Sequence, residues 1–446
     1  MKRILRLAGA VALACLLAAG LTAQTTQTAG QMAQTLQTAG QVAQAGFSPL
    51  PDTLTLEAAT ERFLQRNLSV EAARLEVGVA EAERVAASFR PRPGLTITGE
   101  NLSIGGQSPF GAQSNSFYEI GAVVAQPIEL GGRRALRREV ADRTISLAEA
   151  RLANVMQRRL LDLRRGYMEA VLARANLEIA RENQAAFAEL VRLNTVRVKE
   201  GDVAEVELMR ARVEQVKFDS AVASASLAYQ QAKIRLLELL GESDYALAAT
   251  LELRSPLALV SVDPDLPRLR EVALRRRPEI KIAEEEQALA EATLRLEESR
   301  GKGEVTPFAG YKRLGPDNTL TVGVTVPLPF GNRNQGGVAR AAAQKQVAAT
   351  NFQLMRNRVL AEVEAAYRAY LTAREQVRVY EAGLLDQAEE AATTTRAAYR
   401  EGASPLIALI DAQRARSEAR GNYLKALFDY RNSLFTLEQV TGAGGN

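Results

Sequence analysis

Two glycines constrain this chain more than any other residues. Gly201 lies in VKEGDVAEVELMRAR and Gly402 in YREGASPLIALIDAQ, and each interrupts a very long run of helix-forming residues. A glycine can take the left-handed conformation that ends a helix. After Gly402, Ser404 is placed to cap the next helix and Pro405 fits its first turn, where no amide partner is needed. After Gly201, Asp202 is placed to cap and Glu205 stands where a capping-box acid would. Each stretch therefore reads as the tip of a helical hairpin. A helix over 136–199 would be roughly 95 Å long at 1.5 Å per residue, far more than a compact domain needs. The hairpins look built to span distance.

The helices carry a seven-residue signal. Val359, Val363, Ala366, Tyr370, Ala373, Val377, Tyr380 and Leu384 step by four and three. Beyond the second tip, Tyr423, Leu427, Tyr430, Leu434 and Leu437 do the same. That is coiled-coil spacing. Alanines outside this seam, as in ARAAAQKQVAAT, give a second face that can pack on a neighbour. The pattern suits an antiparallel hairpin or a closed ring of helices.

The chain also reads as two copies of one plan. QPIELGGRR (126–134) matches VPLPFGNRN (326–334), with Pro127 opposite Pro327 and Gly131 opposite Gly331. Further on, Glu200–Gly201 stands opposite Glu401–Gly402 and Gly241 opposite Gly442, so the offset grows from 200 to 201. RNLSV (66–70) pairs loosely with RPEI (277–280). A repeat of this length is an internal duplication, not a short solenoid unit. The first copy spans 51–241 and the second 266–442, each with a helix, a strand hairpin, a very long helix, a glycine tip and a second long helix.

Ahead of them, residues 1–23 have a basic start, an apolar run and small residues at the end, as a cleaved secretory signal does. The apolar run is short for a bilayer-spanning anchor. Cys15 could be a lipoprotein cysteine, but the apolar run continues past it, so it reads as part of the signal core. Residues 24–50 are low in complexity, with TAGQMAQ echoed by TAGQVAQ. Lys2, Arg3 and Arg6 of the leader contribute three of the formal +4 charge, so the basic balance is no argument for nucleic acid. With no histidine and Cys15 the sole cysteine, a processed chain has no disulfide, imidazole or thiolate metal site, and no His-based triad.

Four stretches read as strands: 94–104, 117–127, 304–312 and 319–328. In the last, Leu320, Val322, Val324 and Val326 alternate with Thr321, Gly323 and Thr325. Each stretch is close to the 9–11 residues a tilted strand needs to cross a bilayer. The alternation fits a small soluble sheet capping the helices as well as transmembrane hairpins over 94–127 and 304–328. Four strands cannot span lipid with open edges, so the second reading requires several chains to close a barrel.

At the level of these motifs the chain resembles the TolC-type outer-membrane efflux family over nearly all of 52–442. YREGASPLIALIDAQ is similar to that family's second tip motif. QPIELGGRR and VPLPFGNRNQG resemble the CzcC-like branch of heavy-metal pumps. The resemblance implies a mainly α fold with a small β part, and a homotrimer whose twelve strands form an outer-membrane barrel in contact with lipid. Its helices would form a periplasmic tunnel tapering at the tips. It further implies a passive conduit, not an enzyme and without a cofactor, docked by a periplasmic adaptor (a membrane fusion protein) and served by an inner-membrane transporter of RND type. Carried over by position, the docking tips are Lys199, Glu200, Gly201, Asp202 and Val203, with Arg400, Glu401, Gly402, Ala403 and Ser404. Glu207 and Asp411 would form carboxylate rings at the narrow end, which favour cations, and Tyr399 would hold the entrance closed. The family's drug-efflux members would have an arginine at the position of Ser404, so the closing network here should differ. No P-loop is present, so nothing indicates nucleotide hydrolysis. The alternatives are an exit duct for type I protein secretion and a periplasmic coiled-coil scaffold.

Overall fold

The computed structural model describes residues 50–442 apart from 52, 101–118, 261, 315, 316 and 329. The leader, Cys15, the low-complexity segment up to 49 and the inner ends of the first strand hairpin lie outside the described residues. Thr55 opens helix α1 (Leu56–Arg66) by accepting the N–H of Ala58 through its hydroxyl. Asn67 ends α1 and caps α2 (Leu68–Ser88), its side chain taking the N–H groups of Ser69 and Val70. Strands β2 (Gly94–Glu100) and β3 (Glu119–Ala125) follow, after the short β1 (Thr53–Leu54) that precedes α1. A two-residue β4 (Ile128–Glu129) leads into α3 (Arg133–Glu200). This helix runs unbroken for 68 residues. Helix α4 (Glu205–Leu239) returns along it.

Strand β5 (Glu252–Leu253) pairs in parallel with β1. The same order of elements then recurs. Arg277 joins α5 (Leu266–Arg276) to α6 (Pro278–Arg300), and its φ/ψ of −67°, 128° is nearly that of Asn67, −66°, 116°. Strands β6 (Glu304–Leu314) and β7 (Asp317–Thr325) lead to α7 (Gln335–Val379). A π-helical segment, Tyr380–Leu384, separates α7 from α8 (Leu385–Arg400). Helix α9 (Leu406–Thr441) closes the chain.

The seam is seen where the spacing puts it, with one correction. Val359, Val363, Ala366, Tyr370, Ala373 and Val377 are buried against Leu427, Tyr430, Leu434 and Leu437. The Tyr370 and Tyr430 rings lie 5.6 Å apart. Their hydroxyls donate to the carbonyls of Val262 and Val260, fastening the link before α5 to both helices. The seam continues to Tyr380, which packs against it with its ring 6.2 Å from that of Tyr423, and ends before Leu384, which is exposed. Gly383 sits there at φ 120°, a conformation that side chains rarely adopt. This non-helical residue kinks the chain between α7 and α8.

The four strands form one antiparallel sheet in the order β2–β3–β6–β7, with β4 beside the start of β6. The register sorts the side chains. Leu95, Val124, Ala309 and Val322 lie in one row, and Ile97, Ala122, Tyr311 and Leu320 in the next. The alternate rows hold Thr96, Val123, Gly310 and Thr321, then Thr98, Gly121, Lys312 and Thr319. One face is thus apolar and the other small or polar. The apolar face is uncovered: Leu95, Ile97, Ile120, Val124, Tyr311, Leu320, Val322 and Val324 are all exposed. Among the described residues no helix is long and apolar enough to cross a membrane.

Candidate functional site: the paired helical tips

Both tips close by the same hydrogen bonds. Gly201 (φ 83°) donates to the Val198 carbonyl and Asp202 to that of Arg197. Gly402 (φ 76°) donates to Tyr399 and Ala403 to Ala398. This is the Schellman arrangement, in which a left-handed residue lets two successive N–H groups satisfy the last free carbonyls. Neither expected side-chain cap forms. The helices begin four residues beyond each glycine, so the cap positions fall on Ala204 and Pro405, and neither makes a side-chain cap bond. Asp202 and Ser404 stand too early, because the Schellman turn takes up the residues that a direct cap would use. Proline therefore occupies the cap itself, not the first turn.

The two tips meet through Tyr399. Its side chain is buried with Phe187, Leu190, Ala211, Leu406, Leu409 and Ile410 in one apolar cluster. The hydroxyl donates to Asn194 Oδ1 at 2.7 Å. Burial pushes that hydroxyl above its usual range and the Glu207 carboxylate adds to this, against the opposing pull of Asn194 and Arg197. The Arg197 guanidinium lies 5.7 Å from the Tyr399 ring centre and donates to the Tyr399 carbonyl at 3.2 Å. One tyrosine of the second tip is thus held by two residues of the first.

Beside this contact lies a groove of about 420 Å3 lined by Arg197, Asp202, Val203, Glu207, Tyr399 and the turn from Gly402 to Pro405. The structure therefore brings together most of the residues picked out in sequence. Lys199, Glu200, Arg400 and Glu401 are exposed on the last turns around it. Asp411 is exposed on α9 and does not line this groove. Arg197 was not singled out in sequence, nor were the polar residues behind it. Asn183 donates to Ser417 Oγ at 2.8 Å, and Gln413 reaches Asn183 Oδ1 at 3.3 Å. Arg396 donates to Gln413 at 3.1 Å. A signal for them existed: Asn183, Phe187, Leu190 and Asn194 step by four, three and four, which places two amides on an apolar seam. Polar groups at such positions fix register at a cost in stability.

The profile of the family described as "Outer membrane efflux protein" matches residues 59–242 and 269–443. The cobalt-zinc-cadmium resistance protein CzcC of Cupriavidus metallidurans is 27% identical over 396 residues, covering 87% of this chain and 90% of that one. The nickel and cobalt resistance protein CnrC of the same organism is 28% identical over 317 residues, 71% of each chain. Among solved structures, the Campylobacter jejuni CmeC outer membrane channel superposes with a TM-score of 0.75 at 17% identity, over 87% of this chain and 86% of that chain. CusC superposes with a TM-score of 0.71 at 18% identity, over 87% and 92%. The chain belongs to the outer membrane efflux protein family and is an outer-membrane channel component reaching into the periplasm.

Proposed function

We propose that three copies of this chain close into a passive conduit, with twelve strands in the outer membrane and the hairpins forming a periplasmic tunnel. The observation that carries this is the sheet. Its apolar face is bare over four strands, and β2 and β7 each keep an unpaired edge among the described residues. Lipid tolerates the first and forbids the second. Pairing β7 of one copy with β2 of the next removes every edge, and a multiple of four strands gives the even count such barrels have. The repeated order of helices and strands supports reading the chain as a duplication that supplies two tips per copy.

The tips dock the adaptor, and an RND-type inner-membrane pump supplies the driving force. The exported substrate is a heavy-metal cation, the reading favoured by CzcC and CnrC. Among the described residues no group of three or more His, Cys, Asp or Glu in one chain could hold a metal ion, so selectivity belongs to the pump. Rings of Glu207 and of Asp411 around the threefold axis favour cations. The test is conductance in a planar lipid bilayer. We expect cation-selective channels whose selectivity falls in Glu207→Gln. Anion-selective channels, or none, would contradict the reading. Zinc, cobalt and cadmium tolerance of cells carrying the chain with its pump and adaptor tests the substrate.

A further inference from the structure

The geometry points to a small-oxyanion site between α3 and α4, about midway along the first hairpin, centred on Lys233. Lys233 is only 2% exposed. Its Nζ lies 4.5 Å from the Tyr229 ring centre and reaches one acceptor, the Leu251 carbonyl, at 3.5 Å. A buried ammonium with so little compensation is costly unless an anion joins it. It opens onto a groove of about 420 Å3 between the two helices, closed at one end by residues 249–252.

The groove is rich in donors without protein acceptors. Ser226, Tyr229, Gln230 and Arg181 line it, and none of their side chains makes a hydrogen bond or ion pair with another described residue. Arg174 donates to the Leu253 carbonyl, and its buried Nε has only the ion pair with Glu178 at 3.5 Å, without a formed hydrogen bond. The carboxylates in the groove are Glu178, 3.5 Å from Arg174, and Glu252, which is exposed at the rim. Three cations and three neutral donors converge against these two acids. Phosphate and carboxylate groups present the acceptors that such a set fits.

The second hairpin shows what the positions hold when no such site is built. Counting 201 residues on from Ser226, Tyr229 and Lys233 gives Leu427, Tyr430 and Leu434. Those three are buried in the apolar seam. A serine and a lysine thus stand where the other hairpin places two leucines, at a cost in packing that a structural role alone does not explain. The site is no place for a lipid headgroup, since Arg174 lies about 60 Å along α3 from its strand-side end. The oxyanion is therefore a free periplasmic one, and it bridges both helices to the 249–252 segment.

The test uses the detergent-purified full-length protein titrated calorimetrically with inorganic phosphate and, separately, acetate, against chloride at equal ionic strength. We expect saturable binding of at least one oxyanion, weakened about tenfold or more by Lys233→Met. Arg181 is exposed, so Arg181→Gln preserves the fold and should weaken binding similarly if that side chain closes on the ligand. Glu252→Gln should tighten binding by removing a competing carboxylate. Neither oxyanion binding above chloride would overturn the site, as would binding indifferent to both the Lys233 and Arg181 variants. A structure showing a neighbouring copy's carboxylate on Lys233 would overturn it too.

Discussion

The two hairpins are built on one plan and differ in two places. In the first, α3 runs 68 residues without a break. In the second, a π segment with Gly383 at φ 120° divides α7 from α8. The sequence offset between the copies grows from 200 at Gly131 and Gly331 to 201 at Gly201 and Gly402. The interval from Gly331 to Gly402 is therefore one residue longer than that from Gly131 to Gly201, and the kink at Gly383 lies within it. The second difference is chemical. Leu427 and Leu434 fill the seam of the second hairpin, where the first has Ser226 and Lys233. One hairpin is continuous but polar at mid-length; the other is apolar but jointed.

That contrast can be broken most forcefully at Tyr430. It is fully buried, touches the Tyr370 ring and bonds the Val260 carbonyl, whereas Tyr229 at the matching position is half-buried. Tyr430→Ala should cost about 3–5 kcal/mol, and Tyr229→Ala much less, read as Tm of the detergent-solubilised protein. Equal losses would mean the two seams are equivalent. The same residue sets an alkaline limit. Burial, with Tyr370 beside it, pushes the Tyr430 hydroxyl up to about 12. A group whose folded pKa is raised stabilises fully below its unfolded pKa of about 10 and loses that contribution as pH rises toward the folded value. Tm should therefore fall between about pH 10 and 12, with tyrosinate absorbance appearing as the chain unfolds.

The tips should be weakened by similar amounts. A Cβ on Gly201 would meet nothing within 4 Å, and on Gly402 only Arg197 Nη2 at 3.8 Å. Valine at either place pays for its backbone and not for a clash, roughly 1–2 kcal/mol. Both variants should also bind the adaptor less tightly in a pull-down or calorimetric titration. Unchanged affinity and unchanged export for Gly402→Val would remove that tip from the docking surface. Deleting Gly383 should let the helix run through, with stability unchanged or raised by up to about 1 kcal/mol. A protein that no longer folds would show that the joint is required by packing. The smallest effect is expected from Glu182→Gln, which removes an exposed pair with Arg420 between the hairpins. It should change stability by well under 1 kcal/mol.

Much of this was legible in the residues. The glycine tips, four strands and apolar seam rest on local signals: positive φ, period two and period seven. Val359 to Val377 are buried in the order their spacing dictates. The π joint escaped that reading because a single extra residue leaves composition and local propensity untouched. It showed only as the drift in offset between the copies. Asp202 and Ser404 were misread as caps because cap preference says which residues suit the position, not how many the turn before it consumes. Arg197 had no distinguishing mark, since a cation on the last turn of a helix is favourable anywhere. Its role needs the second tip, and that proximity is tertiary. Asn183 and Asn194 stand at seam spacing that the sequence reading passed over, and their partners Ser417, Gln413 and Tyr399 lie more than two hundred residues away.

The measurement that bears most directly on the conduit is electron microscopy of the protein extracted from membranes in detergent. Three copies closing one barrel predict a hollow threefold particle, with a detergent belt at the strand end and helices extending about 100 Å from it, the length of 68 residues at 1.5 Å each. A solid particle without a belt, or one with an open sheet edge, would contradict the account.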